Sequence, residues 1–255
     1  MEMSTLEVEE KLGKLDLSLF KNIESQTSNS DKSSLLALQN ALRKRGKYTY
    51  LEIGSHLGGT IQPYFVDPLC TDIISIDKRT INIPDERGND IVYEGNSTQR
   101  MIDNLKNISS GNINKIFCID SDSENVDRSL IKIKPTLCFI DGEHTNTAVI
   151  KDFKLCFDLI KNEGIIAFHD VKVVYGGIRE IIGNLRSKGI TFSHYFLPSS
   201  VYVMEFGDTT LKNDPLVANI IQENPKGHLT LLKESFFYNR PKLSAFIMKV
   251  KSIFK

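Results

Sequence analysis

Between residues 48 and 206, short apolar runs alternate with stretches of helical periodicity. Five runs have the length and composition of buried strands, namely 48–53, 72–77, 115–120, 136–141 and 164–169. Helices are predicted between or after them, at 59–67, 98–107, 124–131, 146–161 and 177–188. This alternation is typical of β-α units that build a parallel sheet. The pattern therefore predicts an α/β fold.

The flanking segments complete the predicted architecture. Two helices, at 5–23 and 31–45, should cover the core, and two strands after residue 189 should close the sheet as an antiparallel hairpin. We expect a doubly wound, mostly parallel sheet with flanking helices. The predicted divisions are a helical cover (1–46), a cofactor-binding domain (47–207) and a C-terminal extension (208–255).

The last residues, PKLSAFIMKVKSIFK, predict a basic amphipathic helix. Its apolar face would contain Leu243, Phe246, Ile247, Val250 and Phe254, with lysines along the edges. Such a helix can dock on its own domain or on a partner subunit. It can also lie on an anionic membrane surface, so 242–255 is a candidate for weak membrane contact.

Charge and cysteine usage narrow the class of protein. Lys and Arg together number 32, as do Asp and Glu, so no excess of positive charge favours a nucleic-acid partner. The four cysteines are widely spaced without a CxxC pair, which is typical of a reducing compartment. The acidic N-terminus and the lack of a long apolar run predict a cytoplasmic protein, which could reach the inner face of the membrane through 242–255.

A glycine-rich turn, Y-L-E-I-G-S-H-L-G-G-T, follows the first predicted strand. Glycines at such a turn let backbone N–H groups approach a ligand without an intervening Cβ. The cofactor-binding residues predicted here are Glu52, Gly54, Ser55, Gly58 and Gly59.

Asp77 ends the second predicted strand, 23 residues after Gly54, where a carboxylate can accept both hydroxyls of a ribose. The glycine spacing is G-x-x-x-G-G, whereas pyrophosphate binding requires G-x-G-x-x-G, and His56 would obstruct a pyrophosphate. These features favour a cofactor without phosphates, such as S-adenosylmethionine.

Acidic and imidazole side chains follow the next two strands in D-G-E-H and F-H-D. Because parallel strands end at one edge, these side chains should converge beside the cofactor. The group consists of Asp141, Glu143, His144, His169 and Asp170. Transfer of a methyl group to oxygen requires that the acceptor hydroxyl lose a proton, and carboxylates and imidazoles can remove it.

With E-I-G-S-H-L-G-G-T, I-S-I-D, F-I-D-G-E-H-T and G-I-I-A-F-H-D, the region 48–206 resembles the class I methyltransferases. Within them it looks like the small-molecule O-methyltransferase branch that includes macrocin-type and catechol-type enzymes. The resemblance implies a Rossmann-like sheet, S-adenosylmethionine as cofactor, and a hydroxyl acceptor on a sugar, glycan or secondary metabolite. A homo-oligomer is also expected.

The resemblance also suggests individual roles. Ser121 or Asp122 would contact the adenine, and Asp141 would lie beside the cofactor. A divalent metal, Mg²⁺ or Mn²⁺, would be bound by Asp141, His169 and Asp170, although His169 stands where an oxygen ligand is usual. Similarity to a D-G-D pattern favours Glu143 as general base, and His144 is the competitor because its ordinary pKa of roughly 6.5 suits proton removal.

Two connecting segments are candidates for binding loops. The long polar stretch before the third strand would present Arg87, Tyr93, Asn96 and Thr98 to the acceptor, or would simply lead into a capped helix. Gly176 and Gly177 would form a moving loop or a tight turn at a helix entrance.

Two other functions use similar features. A nicotinamide-dependent oxidoreductase would share the strand, the turn and Asp77. A non-catalytic binding module would retain the fold without its chemistry, but four polar groups at adjacent strand ends argue against it.

Overall fold

The computed structural model describes residues 3–88 and 90–222. The strands in the described residues are β1 (Tyr48–Ile53), β2 (Cys70–Ile76), β3 (Asn82–Ile83), β4 (Ile91–Val92), β5 (Ile116–Ile119), β6 (Leu137–Ile140), β7 (Gly164–Phe168), β8 (Phe192–Phe196) and β9 (Tyr202–Phe206). The α-helices are α1 (Thr5–Gly13), α2 (Asn29–Arg43), α3 (Gln62–Val66), α4 (Thr98–Ile108), α5 (Asn146–Ile160), α6 (Val171–Ser187) and α7 (Pro215–Gln222).

Seven strands form the central sheet in the order β5-β2-β1-β6-β7-β9-β8, and β3 pairs with β4 in a separate two-stranded ribbon. The first five strands in this order are parallel, whereas β9 is antiparallel to both of its neighbours. The predicted doubly wound, Rossmann-like sheet with a C-terminal antiparallel hairpin is confirmed.

The register brings the strand ends together. Ile53 of β1 pairs with Ile76 of β2 and Ile140 of β6, and Ile140 pairs with Phe168 of β7. The residues that follow these strands therefore lie side by side at the carboxyl edge, where open α/β sheets bind ligands.

Apolar side chains cover both faces of the sheet. One cluster joins the sheet to α1, α2 and α4, and the other joins it to α5 and α6. Each large apolar side chain buried in these clusters contributes about 1.5–3 kcal/mol to stability. The strands are thus fixed from both sides, which makes their ends a rigid platform.

One predicted helix is wrong in the structure, and another begins earlier than predicted. Residues 124–131 form two short 3₁₀ turns, Ser123–Asn125 and Arg128–Leu130, because the carboxylates of Asp122 and Asp127 each cap a turn locally. The predicted helix 177–188 begins six residues earlier, at Val171.

Gly176 and Gly177 consequently lie inside α6 and form neither a turn nor a moving loop. A Cβ on Gly177 would come within 2.5 Å of Val149 Cγ1 and 2.7 Å of Asn146 O. This glycine is therefore explained by the close packing of α6 on α5.

The first segments are shorter than predicted. Helix α1 ends at Gly13 and is followed by a separate 3₁₀ turn, Leu17–Phe20, while the helix after the glycine-rich turn begins only at Gln62. The predicted helix 242–255 lies outside the described residues. Among the helices of the described part, none has the length and apolar character needed to cross a membrane.

Candidate active site

A cavity of about 260 Å³ opens at the carboxyl edge of the sheet. Its floor contains residues that follow β1, β2, β6 and β7. Its walls come from two other segments, which we call the N-terminal segment (residues 24–27) and the inserted loop (residues 81–88 and 90–96). The cavity lining includes Gly54, Ser55, His56, Gly59, Asp77, Asp141, His144, His169 and Asp170.

A second, smaller cavity of about 40 Å³ adjoins the first. The two share Gly54, Asp77, Ile83 and Gly142 in their lining. The small cavity is also lined by Ser121 and Asp122, the candidate adenine contacts, together with Ser123, Glu143 and Asp152. The two cavities therefore lie side by side at the end of β1, and together they are called the cleft.

Gly54 is needed for the shape of the floor. Its φ is +88°, and a Cβ there would lie 2.1 Å from the backbone oxygen of Asp141. The glycine-rich turn and the end of β6 thus touch backbone to backbone. Any larger residue would push these two site segments apart.

Gly59 allows the N-terminal segment to cross the glycine-rich turn. A Cβ on Gly59 would lie 2.6 Å from Glu24 O. Buried Gln62 fixes the chain just before this crossing, since its side chain accepts from Asn22 N and Ile23 N and donates to the backbone oxygen of Gly59. The pattern G-G-T-x-Q therefore lets the N-terminal segment pack closely on the glycine-rich turn. The sequence alone did not predict this role.

Two predicted cofactor residues lie away from the cleft. Glu52 is fully buried beneath the floor, where it accepts hydrogen bonds from Tyr50 Oη (2.6 Å) and Thr60 Oγ1 (2.5 Å). Burial raises the pKa of Glu52 to about 8. Gly58 faces Met101 of α4 and does not line either cavity.

Asp77 lies between the two cavities and is nearly buried. Its Oδ2 accepts from His56 N at 2.8 Å, and its Oδ1 accepts from Arg79 N at 2.7 Å and from Asn96 Nδ2 at 3.2 Å. The carboxylate is therefore held in one orientation by backbone donors of the glycine-rich turn and of its own strand end.

Arg79 connects the segments around Asp77, and sequence analysis did not identify it. Its side chain is 9% exposed, and its Nη1 donates to His56 O at 2.5 Å and to Asn96 Oδ1 at 2.9 Å. Its Nε donates to Thr98 Oγ1 at 3.1 Å. Because Arg79 adopts a left-handed backbone with φ +54°, no periodic pattern signals its position.

Two histidines and two aspartates alternate at the opposite end of the large cavity. His169 Nδ1 lies 2.8 Å from Asp141 Oδ1, and His144 Nε2 lies 3.2 Å from Asp170 Oδ2. His144 Nε2 is also 3.8 Å from Asp141 Oδ1. The predicted convergence of these four side chains is present in the structure.

The charges of this group shift its pKa values. Burial alone would lower the pKa of His144, but the charges of the neighbouring carboxylates of Asp170 and Asp141 raise it. Burial would also lower the pKa of His169, but the charge of Asp141 raises it well above the ordinary value. Burial would raise the pKa of Asp141, but the charges of His169 and His144 lower it to about 2.

His169 Nδ1 faces Asp141 Oδ1 at 2.8 Å, so these two predicted metal ligands contact each other directly. Among residues 3–88 and 90–222, no three side chains of His, Cys, Asp or Glu are arranged to hold a metal ion. A divalent metal at Asp141, His169 and Asp170 stays a prediction.

Asp31 reaches this group from the helical cover. It is buried at the start of α2, accepts from Ser200 N at 2.8 Å, and places Oδ2 3.5 Å from His169 Nε2. The helical cover therefore contributes a charged contact to the site, although its sequence shows only an ordinary helix start.

Asp85 of the inserted loop holds His144 from the other side. Its Oδ2 lies 3.0 Å from His144 Nδ1, and Arg87 binds both oxygens of Asp85, at 2.7 and 2.5 Å. Glu86 Oε1 accepts from Asn146 N at 2.8 Å, which ties the same loop to the start of α5. His144 is thus fixed between the floor and the inserted loop.

Glu143, predicted as general base, points away from the histidine group. It lines the small cavity, where its Oε2 is 2.5 Å from Lys78 Nζ and its Oε1 accepts from Thr145 Oγ1 at 2.8 Å. Consecutive side chains after β6 diverge, so that Glu143 and His144 serve different cavities. The two candidate bases are thus separated, with Glu143 in the lining of the small cavity and His144 in that of the large one.

The candidate acceptor-binding residues of the loop separate into two groups. Arg87, Tyr93 and Asn96 line the large cavity as predicted. Thr98 does not, because it begins α4 and its hydroxyl donates to Asp120.

Comparison with known proteins bears on this architecture. A methyltransferase-domain family model matches residues 130–171, a stretch that contains Asp141, His144, His169 and Asp170. No curated protein sequence matches the chain significantly.

Solved structures match over most of the chain. The methyltransferase PaMTH1 of Podospora anserina, bound to S-adenosylhomocysteine, superposes with a TM-score of 0.51 at 14% identity, covering 80% of this chain and 88% of that one. TomG of Streptomyces achromogenes is an O-methyltransferase involved in tomaymycin synthesis, in complex with S-adenosylmethionine. It superposes with a TM-score of 0.50 at 12% identity, and the match covers 78% of this chain and 89% of that one. The chain has a methyltransferase fold.

A third methyltransferase structure of this fold is MycE of the mycinamycin pathway, in complex with Mg, S-adenosylhomocysteine and mycinamycin VI. Its TM-score is 0.52 at 14% identity, and the match covers 77% of this chain. This chain spans about half of MycE, since 54% of that chain is covered. Identities this low establish a shared methyltransferase fold and carry no residue roles.

Proposed function

We propose that this protein is an S-adenosylmethionine-dependent methyltransferase that methylates a hydroxyl group of a small-molecule or glycan acceptor. The fold and the match over residues 130–171 support the reaction class. The cleft supports the placement of the cofactor, because its two cavities share Gly54 and Asp77 and lie side by side at the end of β1.

In this proposal the adenine occupies the small cavity beside Ser121 and Asp122, and the ribose lies at Asp77 between the cavities. The amino-acid end then extends over the glycine-rich turn, beside Gly54 and Ser55. Bound S-adenosylmethionine would supply an electrophilic methyl group, and the large cavity would hold the acceptor on the far side.

His144 is the proposed general base. Its Nδ1 is engaged by Asp85, which leaves Nε2 as the nitrogen on the side of Asp170 and Asp141. When the acceptor oxygen forms its bond to the methyl carbon, the hydroxyl proton moves to Nε2, and Asp85 and Asp170 stabilise the imidazolium that results. Bound S-adenosylmethionine would be the methyl donor, and S-adenosylhomocysteine, which keeps the electron pair of the broken carbon–sulfur bond, would be the second product.

The lining of the large cavity supports a sugar or similarly hydroxylated acceptor. Its two walls present Glu24, Gln26, Thr27, Arg87 and Tyr93. These side chains offer both donors and acceptors to hydroxyl groups, together with one aromatic ring.

The observation that carries the function is that Asp77 and His144 line the same cavity, with Nδ1 of His144 held 3.0 Å from Asp85 Oδ2. The test is a screen of sugar nucleotides, glycans and hydroxylated metabolites for acceptor-dependent release of S-adenosylhomocysteine. Release that depends on His144 supports the proposal. Wild-type protein that binds neither S-adenosylmethionine nor S-adenosylhomocysteine would overturn it.

The alternatives are less well supported. His56 lines the large cavity and has a φ of +44°. A dinucleotide site has glycine at this position so that the backbone can approach the pyrophosphate, and the side chain of His56 therefore disfavours a nicotinamide cofactor. The buried charged group around His144 is costly to maintain without a role, which disfavours a non-catalytic module. Homo-oligomerisation, cytoplasmic location and membrane contact through 242–255 stay predictions.

A further inference from the structure

Asp77 has limited capacity for the two hydroxyls of a ribose. A carboxylate offers about four lone-pair positions. Two are taken by short hydrogen bonds from backbone groups, His56 N at 2.8 Å and Arg79 N at 2.7 Å, one on each oxygen. The remaining position on Oδ1 is approached by Asn96 Nδ2 at 3.2 Å, and that on Oδ2 by Arg79 Nη1 at 3.5 Å.

The two longer contacts, from Asn96 and Arg79, mark the positions on the Asp77 carboxylate where a ligand hydroxyl can bind. Backbone donors are fixed by the fold, whereas the side chains of Asn96 and Arg79 can be displaced slightly. A hydroxyl that donates to Asp77 Oδ1 would therefore lie directly beside the amide of Asn96, which lines the same cavity.

The amide of Asn96 is already oriented for this contact. Arg79 Nη1 can only donate, and it lies 2.9 Å from Asn96 Oδ1. This contact sets the amide so that Nδ2 faces Asp77, with its second hydrogen free to donate to a neighbouring oxygen. Arg100 Nη1 donates to Gly95 O at 2.7 Å and holds the turn that carries Asn96.

We propose that Asn96 is a second ribose-binding residue, so that the ribose of the cofactor is shared between the carboxylate of Asp77 and the amide of Asn96. One hydroxyl donates to Asp77 Oδ1 and accepts from Asn96 Nδ2, while Arg79 positions both groups without touching the ribose. This inference rests on the proposed cofactor. It assigns Asn96, which the sequence predicted to face the acceptor, to the cofactor instead.

The assignment also connects the cofactor to the inserted loop. Asn96 is the last residue of that loop, and Asp85 and Arg87, which hold His144, lie earlier in it. A bound ribose would thus add a contact to the segment that positions the proposed base.

The test compares three ligands on three proteins by calorimetry. The ligands are S-adenosylhomocysteine and its 2′-deoxy and 3′-deoxy analogues, and the proteins are wild type, Asn96→Ala and Asn112→Ala. Asn112 is the matched control, since its amide donates to Phe65 O and does not line the cleft.

For the wild type, we expect each deoxy analogue to bind about ten- to a hundredfold more weakly than S-adenosylhomocysteine, the loss expected for a hydrogen bond to a charged group. In Asn96→Ala, S-adenosylhomocysteine should weaken by about three- to tenfold, the loss expected for one neutral hydrogen bond. One of the two deoxy analogues should then lose less affinity relative to S-adenosylhomocysteine than it loses in the wild type, because only its bond to Asp77 is missing. Asn112→Ala should behave as wild type.

A purely structural role would weaken all three ligands by the same factor in Asn96→Ala. That result, or unchanged affinity for S-adenosylhomocysteine, would overturn the ribose assignment and leave the proposed function intact. Absence of S-adenosylhomocysteine binding by the wild type would overturn both.

Discussion

The floor and the walls of the large cavity are held by different interactions. The floor residues that directly follow the strands continue the sheet ladder, as Gly54 N donates to Ile76 O at 2.8 Å and Asp141 N donates to Ile53 O at 2.9 Å. The walls depend on a few side chains, chiefly Gln62 for the N-terminal segment and Glu86 for the inserted loop. The sheet therefore positions the chemistry, whereas single side chains position the walls that enclose the acceptor.

The largest effect is expected where floor and wall meet, at His144. Replacing it in His144→Asn removes the proposed base but retains a polar group of similar size. Turnover should fall by about 10²–10⁴-fold, the usual contribution of a general base, while the affinity for S-adenosylhomocysteine stays within about twofold. Rates and calorimetry check both parts, and turnover within about tenfold of wild type would exclude His144 as base.

The inserted loop can be tested through Asp85→Asn. This change keeps the side-chain shape but removes the charge that fixes the His144 ring and stabilises its protonated form. We expect a loss of roughly 10²-fold in kcat with little change in affinity for S-adenosylhomocysteine. An equal loss of cofactor affinity would mean that the loop acts on the floor as a whole.

The floor should show a pH dependence of stability through Glu52. Its pKa is about 8 in the fold against an ordinary value of 4.5, so the folded protein retains a proton that the unfolded chain releases. The free energy of unfolding should therefore fall as pH rises from about 4.5 to 8, at about 1.4 kcal/mol per pH unit at most.

Glu52→Gln should flatten this dependence, as measured by urea unfolding at pH 5, 6.5 and 8. A smaller slope of the same sign should persist up to about pH 7, because burial raises the pKa of Asp152 to about 7. An unchanged slope in Glu52→Gln would show that Glu52 is ionised in the folded protein.

The N-terminal wall can be displaced by Gly59→Ala. The added Cβ would meet Glu24 O at 2.6 Å, so we expect a loss of about 1–3 kcal/mol in the free energy of unfolding and faster proteolysis near residues 24–27. Gly183→Ala is the control, since a Cβ there meets nothing within 4 Å and should be neutral or stabilising by up to about 1 kcal/mol. Equal stability of the two variants would contradict the close crossing.

The smallest effect is expected for Glu143→Gln. Its partner Lys78 is partly exposed, and such pairs contribute at most about 1 kcal/mol. Turnover should stay within about threefold of wild type. A loss comparable to that of His144→Asn would restore Glu143 as the base.

The same contrast explains what the sequence could predict. Gly54, Asp77 and Asp141 directly follow apolar strands, and a strand end is visible in a local pattern. The sheet and these floor residues were therefore predictable. The divergence of Glu143 and His144 was not, because the direction of consecutive side chains after a strand depends on their partners, here Lys78 and Asp85.

The wall residues gave weaker signals. Asp31 resembles any helix-start aspartate, and its contact with His169 spans 138 positions of the chain. Positions 59 and 177 require glycine because a Cβ would clash with Glu24 and Val149, respectively. A sequence pattern cannot distinguish this cause from a glycine that makes room for a ligand or that forms a mobile turn. Long-range packing, and not local periodicity, determined these roles.

Calorimetric titration of S-adenosylhomocysteine into the wild type and Asp77→Ala tests the central claim most directly. The cleft across the end of β1 predicts saturable binding to the wild type and a loss of about tenfold or more in Asp77→Ala, with the fold unchanged by circular dichroism. Binding of NAD but not of S-adenosylhomocysteine or S-adenosylmethionine by the wild type would contradict the account.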